Sequence, residues 1–312
     1  MPYDLTAFEA AGTSVPPPLP APRVEQIDLF AAPATELPNP LDMIGQGALV
    51  VHNNSGGKDS QALLIHLVER LHVPPGQIVS IHADLGPSEW ERTEDHAREI
   101  ADAYAVPFLV TRATDKTGTL KTFLTMADKR GMFPDRANRS CTSDLKRGPI
   151  RRALNAWLRE NPQSTPYVLN TLGLRAEESV DRAKGALFAF SPDASCPNAP
   201  WPDAGIRKTS ATRRLVFNWN PIHHLTEPQV FATIAAAGQS PHWAYSVGAR
   251  RLSCTTCIFS SEDDIRIACQ HSAKARAYTR EIIAIEQSHD HTILPLRSGQ
   301  KRYLADIIGA NP

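Results

Sequence analysis

Six residues, Ser55-Gly56-Gly57-Lys58-Asp59-Ser60, constrain most strongly what this chain can fold into. The apolar stretch Ala48-Leu49-Val50-Val51 precedes them, and the amphipathic stretch from Gln61 to Val68 follows. A strand, a tight Gly-rich turn and a helix N-terminus in that order make an anion cradle. The glycines let backbone N–H groups approach an oxyanion, and the helix dipole favours negative charge there. The four-residue spacer between glycines that marks a Walker-type loop is missing, so the cradle is of another kind. A plain turn before a helix has no need of Ser, Lys and Asp at these positions.

Beyond the loop, strand and helix patterns alternate, which predicts a parallel α/β sheet. Strands are expected at 78–83, 108–111, 167–172 and, as the last, 215–219. Helices are expected at 88–104, 117–130, 144–160, 227–237 and 262–287, with 186–214 a long loop. The expected fold is an open, mostly parallel sheet with helices on both faces and a small helical C-terminal part. Residues 1–45 read as a separate Pro-rich arm, since Pro16 to Pro22 lacks periodicity and favours polyproline II. Within the arm, Gln26 to Phe30 is a short apolar island. Residues 46–222 would form the nucleotide-binding domain, and 223–312 the helical part.

With 312 residues the chain can bury a substantial core. Lys+Arg and Asp+Glu are both 33, so bulk electrostatics do not coat it onto nucleic acid, although local basic patches remain open. No apolar run is long enough for a bilayer and no signal peptide is visible, so a soluble, cytoplasmic protein without membrane partners is expected. Five cysteines, an odd number with one close pair, point to a metal site or reactive thiols rather than a disulfide framework.

The Ser-Gly-Gly-x-Asp-Ser pattern resembles the pyrophosphate loop of the ATP pyrophosphatase (PP-loop) superfamily, of adenine nucleotide alpha-hydrolase-like fold. The resemblance implies that ATP, with Mg²⁺, is held by its β- and γ-phosphates while the α-phosphate is attacked. It assigns Ser55, Gly56, Gly57, Lys58 and Ser60 to the phosphates, and Asp59 to the metal or to the loop itself. Asp84 closes the second predicted strand, at the edge where open sheets bind ligands. The segment His82 to Gly86, followed by Glu89, Trp90 and Thr93, resembles the adenosine-side strand of the same superfamily.

Two further segments are similar to the phosphoadenosine phosphosulfate reductase-like branch. Arg139 to Ile150 matches its Cys-Thr…Leu-Lys…Pro element, and Gly173 to Arg182 its Gly-x-Arg-x-x-Glu-Ser-x-x-Arg element. Lys146, Arg175 and Arg182 become candidates for anion contacts, and Glu178 for orienting them or a metal. Taken singly each is an ordinary surface charge; their order in the chain gives them meaning.

Cys254-Thr255-Thr256-Cys257 is a Cys-x-x-Cys pair that could ligate zinc or an iron–sulfur cluster, or act as a redox dithiol. It resembles the pair of sulfonucleotide reductases and of DNA phosphorothioation ATP pyrophosphatases, which implies a 4Fe–4S cluster. Cys141, in the matching upstream motif, is the third ligand under that resemblance, and Cys269 a candidate fourth. Cys196 has no assigned role.

The function expected from these motifs is an ATP pyrophosphatase that adenylates a substrate oxygen and releases pyrophosphate. Sulfur transfer to a nucleic acid or nucleotide would follow, with a sulfur donor protein such as a cysteine desulfurase as partner. A sulfonucleotide reductase is the alternative, but its Glu-Cys-Gly motif has no counterpart, as no Cys follows Cys269. A nucleotide-binding regulatory subunit without turnover is the third reading. Arg136, Arg139, Lys146, Arg147, Arg151 and Arg152 could line a nucleic-acid face, extended by Arg207, Lys208, Arg213, Arg214, Arg250 and Arg251.

Overall fold

A computed structural model of the chain describes residues 37–191, 194–195, 214–295 and 298–309. Residues 1–36 of the Pro-rich arm, with the apolar island, and Cys196, Arg207, Lys208 and Arg213 lie outside the described residues. Pro40–Gly45, expected within the arm, instead form a short helix that buries Pro40, Met43 and Ile44. In chain order the elements are α1 (Pro40–Gly45), β1 (Leu49–Asn53), α2 (Lys58–Ile65), β2 (Ile78–Ala83), α3 (Thr93–Asp102) and β3 (Phe108–Thr111). There follow α4 (Phe123–Arg130), α5 (Ser140–Thr142), α6 (Gly148–Glu160), β4 (Tyr167–Thr171), α7 (Val180–Ala183), β5 (Phe188–Phe190) and β6 (Leu215–Trp219). The helices α8 (Glu227–Ala236), α9 (Glu262–His271), α10 (Ala273–His289) and α11 (Leu304–Ile308) complete the chain.

Among the described residues the strands form one six-stranded sheet in the order β3-β2-β1-β4-β6-β5, parallel except for β5. From β1 the chain first builds outward through β2 to β3, then returns to place β4 on β1's other side. The loops after β1 and β4 therefore leave adjacent strands at the reversal, where open α/β sheets bind ligands. The side-chain period of two sends Val50 to one face, with α2, α3 and α8, and Leu49 and Val51 to the other, with α6. A second core gathers α4, α9, α10 and α11 around Phe123, Phe133, Ile265 and Ile282.

The predicted strands and fold class hold, with local differences. The stretch read as a loop over 186–214 contains β5, antiparallel to β6, because Phe188 and Phe190 pack on Phe217 at 5.2 and 5.5 Å. Three residues are too few to show an alternation in sequence. The single helix expected over 262–287 breaks at Ser272, whose hydroxyl caps α10 and donates to Glu91 at 2.8 Å. The helix expected over 117–130 begins only at Phe123, behind a Thr122–Thr125 capping box. Nor is α2 amphipathic: Ser60 to Ile65 are all buried, since α2 lies under α8 as well as on the sheet.

His52 fixes β1 to the start of α2. Its Nε2 donates to the Ser60 carbonyl at 2.8 Å, so Nδ1 accepts from Ser80 Oγ at 3.0 Å. Burial pushes the ring from 6.5 to about 4, and His66 and His242 are held at about 4 for the same reason. The unfolded chain takes up protons below pH 6.5 while the folded one resists until about pH 4, so stability is full above pH 6.5 and falls as pH drops. His82, beside Glu89, is raised despite its burial and offsets part of this. The urea midpoint should fall markedly between pH 7.5 and 5. His52→Gln should flatten the drop, by on the order of 2 kcal/mol at most over that range. An unchanged pH profile in that variant would contradict the buried neutral ring.

Candidate functional site at the reversal of the sheet

The loop from Ser55 to Ser60 is held by side-chain oxygens. Ser55 N–H donates to Ser60 Oγ at 3.2 Å, Gly56 N–H to Asn54 Oδ1 at 3.0 Å and Gly57 N–H to Ser55 Oγ at 3.4 Å. Lys58 N–H donates to the Tyr245 hydroxyl at 3.0 Å. Four backbone donors thus end on neutral oxygens, which an anion can replace without the loop refolding. Gly56 has φ +70°, and a Cβ there would meet the Thr93 carbonyl at 3.0 Å. Both the backbone angle and the space require glycine.

The side chains of the loop enter a ring of charges. Lys58, only 2% exposed, places Nζ 3.1 Å from Glu227, 3.5 Å from Asp59 and 3.2 Å from the Arg250 carbonyl. Its ammonium also lies 5.2 Å from the centre of the Tyr245 ring. Burial opposes this charge, yet Tyr245, Asp59 and Glu227 outweigh it and hold Lys58 above the ordinary lysine value. Asp59 reaches Arg175 Nε at 2.6 Å, and Arg175 Nη1 reaches Glu177 at 2.6 Å. Glu177 then accepts from the backbone N–H of Glu227 at 2.8 Å, which closes the ring. Lys58, expected on phosphate, is therefore committed to the first turn of α8, and Asp59 to Arg175.

Arg175 reaches the loop because Gly173 lets β4's exit lie against α2. A Cβ on Gly173 would meet the Asp59 carbonyl carbon and oxygen at 2.9 Å, and backbone atoms cannot step aside. Glu178 accepts from Arg175 N–H at 3.0 Å and pairs with Arg182, so these two residues shape the turn rather than touch the loop. Asp84 pairs with Arg112 and accepts from Gly86 N–H at 2.7 Å. Burial works against its charge, but Gly86 and Arg112 hold its carboxyl below the usual range. His82 is a buried core histidine that meets the Asn54 carbonyl at 2.8 Å and Glu89 at 3.5 Å. A cavity of about 320 Å³ opens here, lined by Asp84, Glu89, Trp90, Thr93 and Lys274.

Of the named cysteines, Cys141 and Cys257 both pack against the second core, and Cys254 lies three residues before Cys257. Cys141, Cys254 and Cys257 act electrostatically on Lys146, whose charge they and Glu89 favour against burial. Burial and Cys254 push the Cys257 thiol up to about 11, and burial with Cys254 also raises Cys141. Cys269 sits inside the second core with Sγ 3.5 Å from Thr279 Oγ1, and the charges that act on it are Arg276 and Arg280. Cys141, Cys254 and Cys257 thus share Lys146 as an electrostatic neighbour, whereas Cys269, on α9, has Arg276 and Arg280. Among the described residues no three His, Cys, Asp or Glu side chains form a ready metal cage. The donor set nevertheless suits a soft iron–sulfur group, with a lysine to balance thiolate charge.

Tyr245, Glu227, Glu177, Asn54 and Arg112 are site residues that sequence reasoning missed. Asn54 directly precedes the loop and could have been included with it. Glu177 lies inside the Gly173–Arg182 element beside Glu178, whereas Tyr245, Glu227 and Arg112 come from other segments that no local pattern marks.

The chain belongs to the phosphoadenosine phosphosulfate reductase domain family, which it matches over residues 49–259. That membership is consistent with the PP-loop superfamily. No curated protein sequence matches it. Similar solved structures include phosphoadenylyl-sulfate reductase from Candida auris in a phosphate complex, with TM-score 0.42 and 15% identity over 69% of this chain and 87% of that one. FMN adenylyltransferase from Candida glabrata with FAD and inorganic pyrophosphate has TM-score 0.31 and 13% identity, over 60% of this chain and 48% of that one. Among the described residues no helix is long and apolar enough to cross a membrane.

Arg175→Met should cost about 1–3 kcal/mol in urea unfolding, because it removes a hydrogen-bonded cation from Asp59 and leaves it only Lys58 at 3.5 Å. Asp59→Asn added to it should restore part of that loss. Equal stability of Arg175→Met and wild type would show that the ring carries no weight.

Proposed function

We propose that the chain is an ATP pyrophosphatase whose product serves sulfur transfer to a nucleic acid or nucleotide, as in phosphorothioation or thiolation. In this reaction a substrate oxygen forms a bond to the α-phosphorus of ATP, the bond to the β-phosphate oxygen breaks, and pyrophosphate leaves. A sulfur nucleophile then attacks the adenylated centre, and the former substrate oxygen leaves with AMP. Catalysis of the first step is positioning and charge neutralisation.

One observation supports this reading above others. The Tyr245 hydroxyl accepts from Lys58 N–H at 3.0 Å and from Leu252 N–H at 3.3 Å, which ties the phosphate loop to the segment entering the cysteine pair. ATP chemistry and thiol chemistry thus share one edge. The pyrophosphate oxygens would take over the amides of Gly56, Gly57 and Lys58, and Lys58 would exchange Glu227 for phosphate. Asp59 would hold Mg²⁺ or keep Arg175 in place. Cys141, Cys254 and Cys257 would hold the 4Fe–4S cluster, with Cys269 outside the group. Such a cluster with three protein ligands supplies an open iron for sulfide. Lys146 keeps a positive charge against the thiolates, and a sulfur donor protein such as a cysteine desulfurase would supply the sulfur.

Pyrophosphate release from ATP in the presence of an oligonucleotide should fall at least 100-fold in Lys58→Ala. A reductase would instead release sulfite from an adenylated sulfate with no need of ATP, and that outcome would sink the proposal. Anaerobically purified protein should also bind iron and absorb broadly in the visible blue. Cys254→Ser should abolish that colour, whereas Cys269→Ser should keep it.

A further inference from the structure

The surface beside the thiols carries an arrangement that ATP chemistry does not use. Phe259 is a large apolar side chain left 39% exposed. The guanidinium carbon of Arg139 lies 4.9 Å from its ring centre, and that of Arg136 lies 5.7 Å away. The backbone around Phe259 is anchored: Ser260 N–H donates to the Cys257 carbonyl at 2.9 Å, and neighbouring Ile258 is buried in the second core. Arg139 in turn leads into α5, which carries Cys141. Ring and guanidinium groups therefore flank the thiols from both segments.

Charge is concentrated at the same place. Residues 136–147 and 250–259 contain Arg136, Arg139, Lys146, Arg147, Arg250 and Arg251 but one acid, Asp144. Asp144 is already paired with Lys121 at 2.8 Å. Asp135 and the acids Glu262, Asp263 and Asp264 border these segments, so the positive charge is local to Arg136 and Arg139 at the ring.

We infer that this surface binds single-stranded nucleic acid, one base stacking at Phe259 while neighbouring phosphates meet Arg136 and Arg139. An exposed aromatic ring among guanidinium groups offers a π-face and counter-charge together, the combination that unpaired bases require. An acidic polypeptide would satisfy the arginines but has no base to lay on the ring. A duplex keeps its bases stacked on one another and out of reach. The strand so held passes the Cys141–Cys257 edge, so the inference names the acceptor class within the sulfur-transfer reading and rests on it.

Binding can be measured without turnover, by anisotropy of a fluorescein-labelled DNA strand of about 12 nucleotides. Phe259→Leu should weaken binding about tenfold. Phe259→Trp should retain it, with tryptophan emission quenched beyond the wild-type change when the strand is added. Arg136→Gln and Arg139→Gln should each lower the slope of log K against log salt by about 0.7. The inference is overturned if wild type binds no strand, if Phe259→Leu and both arginine variants bind as wild type does, or if a duplex or polyglutamate binds equally well. Pyrophosphate release is read on the same samples. Strand binding without ATP cleavage would remove the ATP reading alone, and ATP cleavage without strand binding would remove this one.

Discussion

The buried hydroxyl of Tyr245 is the contact on which the rest of the site depends. It accepts from the first N–H of α2 and from Leu252, so one oxygen joins the loop after β1 to a segment far along the chain. The ring beneath it lies 5.2 Å from the Lys58 ammonium. A buried backbone donor left without a partner costs about 1–3 kcal/mol, and here two would be stranded together. The packing is equally tight: a Cβ on Gly57 would sit 3.3 Å from the same hydroxyl and 3.4 Å from Leu252. Tyr245 thus holds the loop in place and sets its distance from the segment entering the cysteine pair.

The charge ring around it has a definite bias. Lys58 and Arg175 are nearly inaccessible, whereas Asp59, Glu177 and Glu227 keep 24, 41 and 29% of their side chains exposed. The cations are fixed and the anions are the side chains with freedom to move. In the proposed reaction, incoming phosphate competes with carboxylates for cations already in place. That exchange requires less reorganisation than moving a lysine in from solvent.

Much of this was legible in the sequence because it was local. The strand, glycines and helix around Ser55–Ser60 are contiguous, and the alternation after them defined a parallel sheet. The cysteine pair was visible by spacing alone. Cys141 could be placed with it only through resemblance, because it lies more than a hundred residues upstream. What stayed hidden depended on contacts across the fold. Nothing near Glu227 or Tyr245 marks them as partners of Lys58, and the assignment of Lys58 to phosphate took no account of them. Strand β5 exists because Phe217 lies beside it, and α9 ends where Ser272 finds Glu91. Cys269 was only a candidate fourth ligand in sequence, and on α9 its Sγ lies 3.5 Å from Thr279 Oγ1.

The central claim is that ATP activates an oxygen of the acceptor itself, and isotope transfer tests it most directly. A DNA strand carrying ¹⁸O at its non-bridging phosphate positions would be incubated anaerobically with the protein, ATP, Mg²⁺ and sulfide, and the AMP analysed by mass spectrometry. The account predicts AMP that has gained one ¹⁸O from the strand, together with a strand that has gained one sulfur. AMP whose new oxygen comes only from water, with an unaltered strand, would contradict it.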